Sequence, residues 1–132
     1  MSLKVNEKRK PGDVYVFTIS GSIDSDTYRL LDDRVMPILN AGAKVVIFDM
    51  EGVEYISSMG LNTIFKVQRS LDKTSGTFAM TNLQPQIKKV LEIVKALPSM
   101  KVFESIEEAD EYLYKIQSEE KDKKTLPDSK IE

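Results

Sequence analysis

Two adjacent serines, Ser57 and Ser58, stand between an apolar run and a stretch with helical spacing, in the segment EYISSMGL from Glu54 to Leu61. Three kinds of chemistry suit hydroxyls at such a junction. One serine can cap the helix, its oxygen accepting a hydrogen bond from a backbone N–H two or three residues on, for about 1 kcal/mol. A serine can also be a nucleophile, but only beside a base that raises its reactivity. The chain has no histidine and no serine–lysine motif, which argues against that role. The third role is phosphate acceptor. A helix start offers unpaired N–H groups and the positive end of the helix dipole, so the fold tolerates an added charge of about −1.5 to −2. Such a switch acts outward: Asp24, Asp49, Glu51 and Glu54 are expected on the same rim, where a phosphate would deepen their negative field. A partner surface that accommodates a neutral hydroxyl would then be rejected.

The bulk of the sequence narrows what these serines can serve. A chain of 132 residues has the size of one domain with one hydrophobic core. Its 41% hydrophobic content is ordinary, and its charges nearly cancel to a formal −2, which argues against a nucleic-acid footprint while leaving room for a local patch. Cysteine and histidine are both absent, removing disulfides, thiolate chemistry, imidazole bases and nearly every zinc or copper site. No metal, cofactor or catalytic residue is expected. The N-terminal MSLKVNEKRKPGD is charged and lacks an apolar signal core, and no segment is apolar for long enough to span a bilayer, so the expected location is cytoplasmic.

The serines need a scaffold, and the sequence outlines it. VYVFTI at Val14 to Ile19 reads as a strand, Leu3 to Glu7 as its hairpin partner, and Pro11, Gly12 and Asp13 as the turn between them. Gly21 is expected to break the strand. Asp24, Ser25 or Asp26 can cap a helix with Tyr28, Leu31, Val35 and Ile38 on its apolar face, which Pro37 should kink or end early. VVIFD, starting at Val45, has the continuous apolar run of a strand covered on both faces. An amphipathic helix from Ser58 to Leu71 follows, with Leu61, Ile64, Phe65 and Leu71 inward and Lys66, Gln68 and Arg69 left to water. A strand in SGTFAMTN comes next, then a helix opened by Pro85 carrying Ile87, Val90, Leu91 and Val94. A short edge strand at Lys101 to Phe103 precedes a last helix, opened by the capping box SIEE from Ser105. The charged residues 117–132 cannot bury enough surface to order themselves and read as a disordered tail. This alternation predicts an α/β fold with a mixed sheet of about five strands, an opening hairpin and then mostly parallel, and about four helices. Loops at the carboxyl ends of the parallel strands gather on one rim, which would hold DMEGVEYISS.

Taken in order, these segments resemble the STAS domain, the module named for sulphate transporters and anti-sigma factor antagonists. GSID at Gly21 to Asp24, VVIFDMEGVEYISSMGL at Val45 to Leu61, TFAMTNLQPQIKKVLEI and VFESIEEADEYL carry the resemblance, which spans residues 5 to 116. It implies a STAS-like domain over residues 1–116, followed by the tail. In the bacterial antagonists of that family the loop reads aspartate, serine, serine or threonine, glycine, leucine. The first hydroxyl after the aspartate receives phosphate from the anti-sigma factor, a serine kinase. Laid on this sequence, Ser57 takes the aspartate position, Ser58 the phosphoacceptor and Met59 the second hydroxyl, with Gly60 and Leu61 matching. Asp24 matches the family aspartate near that serine. Ser57 thus replaces a carboxylate, and Met59 replaces a hydroxyl with a thioether that can widen an apolar docking surface. Gly60 serves either close packing or partner contact.

The resemblance implies a non-enzymatic switch. Through Asp24, Ser57, Ser58, Met59 and Gly60 it binds a kinase-type anti-sigma factor while Ser58 is free, and lets go once Ser58 is phosphorylated. ATP belongs to the kinase, and a serine phosphatase resets the switch. A second expectation is a STAS-type regulatory module of a transporter or another phosphorelay. A small nucleotide-binding enzyme is disfavoured by the missing glycine-rich phosphate loop and the missing histidine.

Overall fold

The computed structural model describes residues 2–93 and 101–103. They form β1 (Leu3–Lys10), β2 (Val14–Ile23), α1 (Tyr28–Asn40), β3 (Val45–Ile56), α2 (Ser58–Lys73), β4 (Thr77–Thr81), α3 (Pro85–Ile93) and β5 (Lys101–Phe103). The five strands make one sheet in sequential order. β1 runs antiparallel to β2, and every later pairing is parallel. The expected α/β architecture with a mixed sheet is therefore the one observed. The helix expected from Ser105, Val94 of the third helix and the tail all lie outside the described residues.

Alternation along the strands divides the apolar residues between two faces. Phe17, Phe48 and Met80 lie in register across one face, and Phe17–Phe48 and Phe48–Phe78 meet edge to face at centroid distances of 5.9 and 5.0 Å. Leu31 and Val35 of α1, Ile64, Val67 and Leu71 of α2, and Ile87 and Leu91 of α3 bury themselves against this face in one core. All three helices therefore pack on one side, as sequential parallel pairing with right-handed crossovers requires. The opposite face carries the separate buried cluster Val14, Val16, Val45, Ile47 and Ala79. VVIFD is buried on both sides for this reason, apart from half-buried Asp49.

Two local expectations are corrected. Gly21 does not end β2, which continues to Ile23. It adopts φ +113° where any Cβ would run into the carbonyl oxygen of Ser2, so this glycine lets the start of β1 approach closely instead of breaking the strand. Pro37 does not stop α1, which runs three residues further and still donates the Ala41 N–H to the Pro37 carbonyl at 3.0 Å. Proline costs the helix only the bond to Asp33, which sits on an exposed face where water replaces it. The regular turns of α1 start after Thr27, but the capping expected of Asp24 is present, since its carbonyl accepts the Tyr28 N–H at 2.9 Å and its carboxylate the N–H groups of Asp26 and Thr27.

Candidate functional site

β3 is longer than its apolar run suggests, and the extra length positions the serines. Its pairing with β4 stops at Asp49↔Thr81, but its pairing with β2 continues to Ile23↔Ile56. From Thr18↔Asp49 to Ile23↔Ile56, β2 advances 5 residues while β3 advances 7, so two residues of β3 are bulged out. Side-chain amides brace the edge that β4 leaves open. Gln84 Nε2 donates to the Glu51 carbonyl at 2.6 Å, Gln86 Nε2 to the Glu54 carbonyl at 3.0 Å, and Asn82 Nδ2 to Asp49 Oδ1 at 3.1 Å. The sequence reading passed over these three residues. An amide-rich run directly after a strand was the signal available.

A single residue, Ser57, separates β3 from α2. Its N–H donates to the Ile23 carbonyl at 2.8 Å, and its hydroxyl accepts the Gly60 N–H at 3.3 Å as the helix cap. The two serines are thus not equivalent. Ser57 caps, and Ser58, the first helical residue, is exposed with no cap to make. This bears on the missing carboxylate: aspartate and serine cap about equally well, so at the helix start a hydroxyl does the same work. Ser57→Ala is expected to cost about 1 kcal/mol of stability and Ser57→Asp to cost nothing measurable, both read from chemical-denaturation midpoints.

Asp24 follows Ile23 as Ser57 follows Ile56, so the register sets the two side by side at the carboxyl ends of neighbouring parallel strands. Asp24 Oδ1 accepts the Asp26 N–H at 2.9 Å, the Thr27 N–H at 3.1 Å and the Thr27 hydroxyl at 3.1 Å. Held above all by the Asp26 N–H, its carboxyl titrates below its ordinary value and stays ionised at neutral pH. Thr27 is itself buried and approaches the Ser22 carbonyl at 2.6 Å. Asp24 therefore orders the turn that enters α1 while remaining half exposed beside the serines.

Met59 is half buried in the first turn of α2. Gly60 is buried, and a Cβ there would come within 2.6 Å of the Ile23 carbonyl oxygen and 2.8 Å of the Ile23 and Ile56 side chains. Close packing, one of the two roles expected of this glycine, is what the position requires. Lys66 is likewise not simply left to water: its Nζ meets Asp32 Oδ2 of α1 at 2.9 Å. Between α1 and α2 lies a groove of ≈ 520 Å³, lined in part by Tyr28, Asp32, Met59, Lys66 and Arg69. Among the described residues no cluster of three or more carboxylates could hold a metal ion, and no helix is long and apolar enough to cross a membrane.

The STAS domain profile matches residues 6–109 of the chain. This chain belongs to the STAS domain family. It is 28% identical over 91 residues to BtrV of Bordetella bronchiseptica, a protein whose name assigns it provisionally to the anti-sigma factor antagonists; the match covers 69% of this chain and 78% of that one. The fold is similar to the crystal structure of a Thermotoga maritima protein provisionally described as an anti-sigma factor antagonist, with a TM-score of 0.78 and 23% identity over 82% of this chain and 92% of that one. It is similar also to the Bacillus cell-fate determinant SpoIIAA in its phosphorylated form, with a TM-score of 0.70 and 19% identity over 83% of this chain and 99% of that one.

Proposed function

We propose that this STAS protein is an anti-sigma factor antagonist, a non-enzymatic cytoplasmic switch that binds a serine-kinase anti-sigma factor while Ser58 carries a free hydroxyl. Phosphorylation of Ser58 by that kinase releases the complex, and a serine phosphatase resets it. One observation carries the reading: Ser57 takes the cap, so the Ser58 oxygen stands exposed on the first turn of α2 with no structural duty. Esterification there leaves the core untouched. The new charge sits at the positive end of the helix dipole, which the fold tolerates. Outward, it adds to the negative charge of Asp24 on the neighbouring strand end, and a surface that fitted the neutral rim meets repulsion and a desolvation cost. The named relatives support the assignment, since both BtrV and the T. maritima protein carry the antagonist description and SpoIIAA is known in a phosphorylated form.

Asp24, Ser57, Ser58 and Met59 form the contact surface in this scheme, with Gly60 beneath it as packing. The deciding experiment is incubation of the full chain with ATP and each purified anti-sigma-type serine kinase of the source organism, followed by peptide mass mapping. A single phosphate on Ser58 is the expected result. Phosphate placed elsewhere with Ser58 untouched would overturn the mechanism.

A further inference from the structure

The geometry points to a second anchor for the partner, resting on the switch reading: the α1–α2 groove receives an acidic side chain of the partner protein, held by Arg69. Residues three and four apart share one face of a helix, so Ser58, Asn62, Lys66 and Arg69 form a single row along α2. Asn62, Lys66 and Arg69 of that row line the groove, and Ser58 begins the row one turn before Asn62. At 1.5 Å per residue the row extends about 16 Å, a span that one helix of a docking partner covers.

Charge decides what the groove accepts. Lys66 is already matched by Asp32 Oδ2 at 2.9 Å, and Asp32 Oδ1, an acceptor with no partner of its own, is buried out of reach of solvent. Arg69 is exposed, and among the described residues no carboxylate pairs with it. The lining is therefore net positive on a chain whose formal charge is −2. Tyr28 and Met59 add apolar surface elsewhere along the groove. A groove that combines arginine with aromatic and thioether side chains has the composition that interfaces favour, and the planar fork of arginine suits a carboxylate. The charge at Arg69 is available in both states of the switch, since about 16 Å exceeds the screening length of about 8 Å at physiological salt. Arg69 sets affinity, and Ser58 sets the state.

The test uses the full chain as wild type, Ser58→Asp, Arg69→Glu and Arg69→Lys, each titrated at several salt concentrations with the purified anti-sigma-type kinases of the source organism. Arg69→Glu is expected to bind about tenfold more weakly than wild type with a flatter salt dependence, and Arg69→Lys to recover part of the loss. Phosphorylation kinetics should show KM rising for Arg69→Glu with kcat unchanged, because Arg69 lies far from the reacting hydroxyl. Arg69 is exposed, so unchanged thermal melts are expected to exclude misfolding. Wild-type affinity and salt dependence in Arg69→Glu, with Ser58→Asp still unable to bind, would overturn the groove while leaving the switch in place. If no kinase binds the wild type, the switch reading fails and the groove assignment with it.

Discussion

Gly60→Ala is expected to lower the unfolding free energy by about 1–3 kcal/mol, the range for overpacking a close-packed site. Two effects oppose each other. Alanine is the better helix former, by as much as about 1 kcal/mol in a helix interior. Against this, the new methyl group would sit 2.6 Å from the Ile23 carbonyl oxygen and 2.8 Å from side-chain atoms of both Ile23 and Ile56. Those atoms cannot easily retreat, because the Ile23 carbonyl accepts the Ser57 N–H at 2.8 Å and both isoleucines are buried. Relief requires α2 to lift away from the ends of β2 and β3, which carries Ser57 and Ser58 with it. Urea unfolding of the variant should give a lower midpoint at similar slope, and partner affinity should drop alongside. A midpoint at or above that of the wild type would show that Gly60 is not the contact point between helix and sheet.

The second large effect concerns recognition rather than stability. Ser58→Asp is expected to weaken binding to the anti-sigma kinase by about a hundredfold or more, and Ser58→Ala to bind within about tenfold of wild type. Neither substitution should move stability by more than about 1 kcal/mol, since position 58 is exposed and a negative charge suits a helix start. Equal affinity of wild type and both variants, measured by calorimetry, would remove phosphorylation as the control. Global unfolding of Ser58→Asp on circular dichroism would mean that the hydroxyl does not stand at an open helix mouth.

The periodicities that the sequence displays are local, and local structure followed them. The apolar run of β3 and the i, i+3, i+4 spacing of α2 led to the correct elements because each is decided by which face must leave water. The turn at Pro11–Asp13 was legible for a similar reason: Gly12 and Asp13 take positive φ, which glycine and aspartate tolerate. The ends of elements were less legible. The bulged extension of β3 to Ile56 has no periodicity of its own and exists because β2 pairs with it and Gln84 and Gln86 bond its free edge. Gly21 and Pro37 illustrate the same point, since what they do depends on the carbonyl of Ser2 and on the exposure of Asp33, neither of which is local information.

By itself the sequence determined that an α/β domain without histidine, cysteine or a glycine-rich phosphate loop presents two hydroxyls at a strand-to-helix corner. It could not say which of the two was free. Tertiary structure decided that, because the cap goes to the residue whose backbone leaves the sheet in an extended conformation, and Ser57, with ψ 178°, is the one tied to Ile23. It also decided that Gly60 packs against the ends of β2 and β3, and that among the described residues Lys66 meets a carboxylate while Arg69 does not. These distinctions depend on what another segment of chain places within a few ångströms, and a one-dimensional pattern carries no such distances.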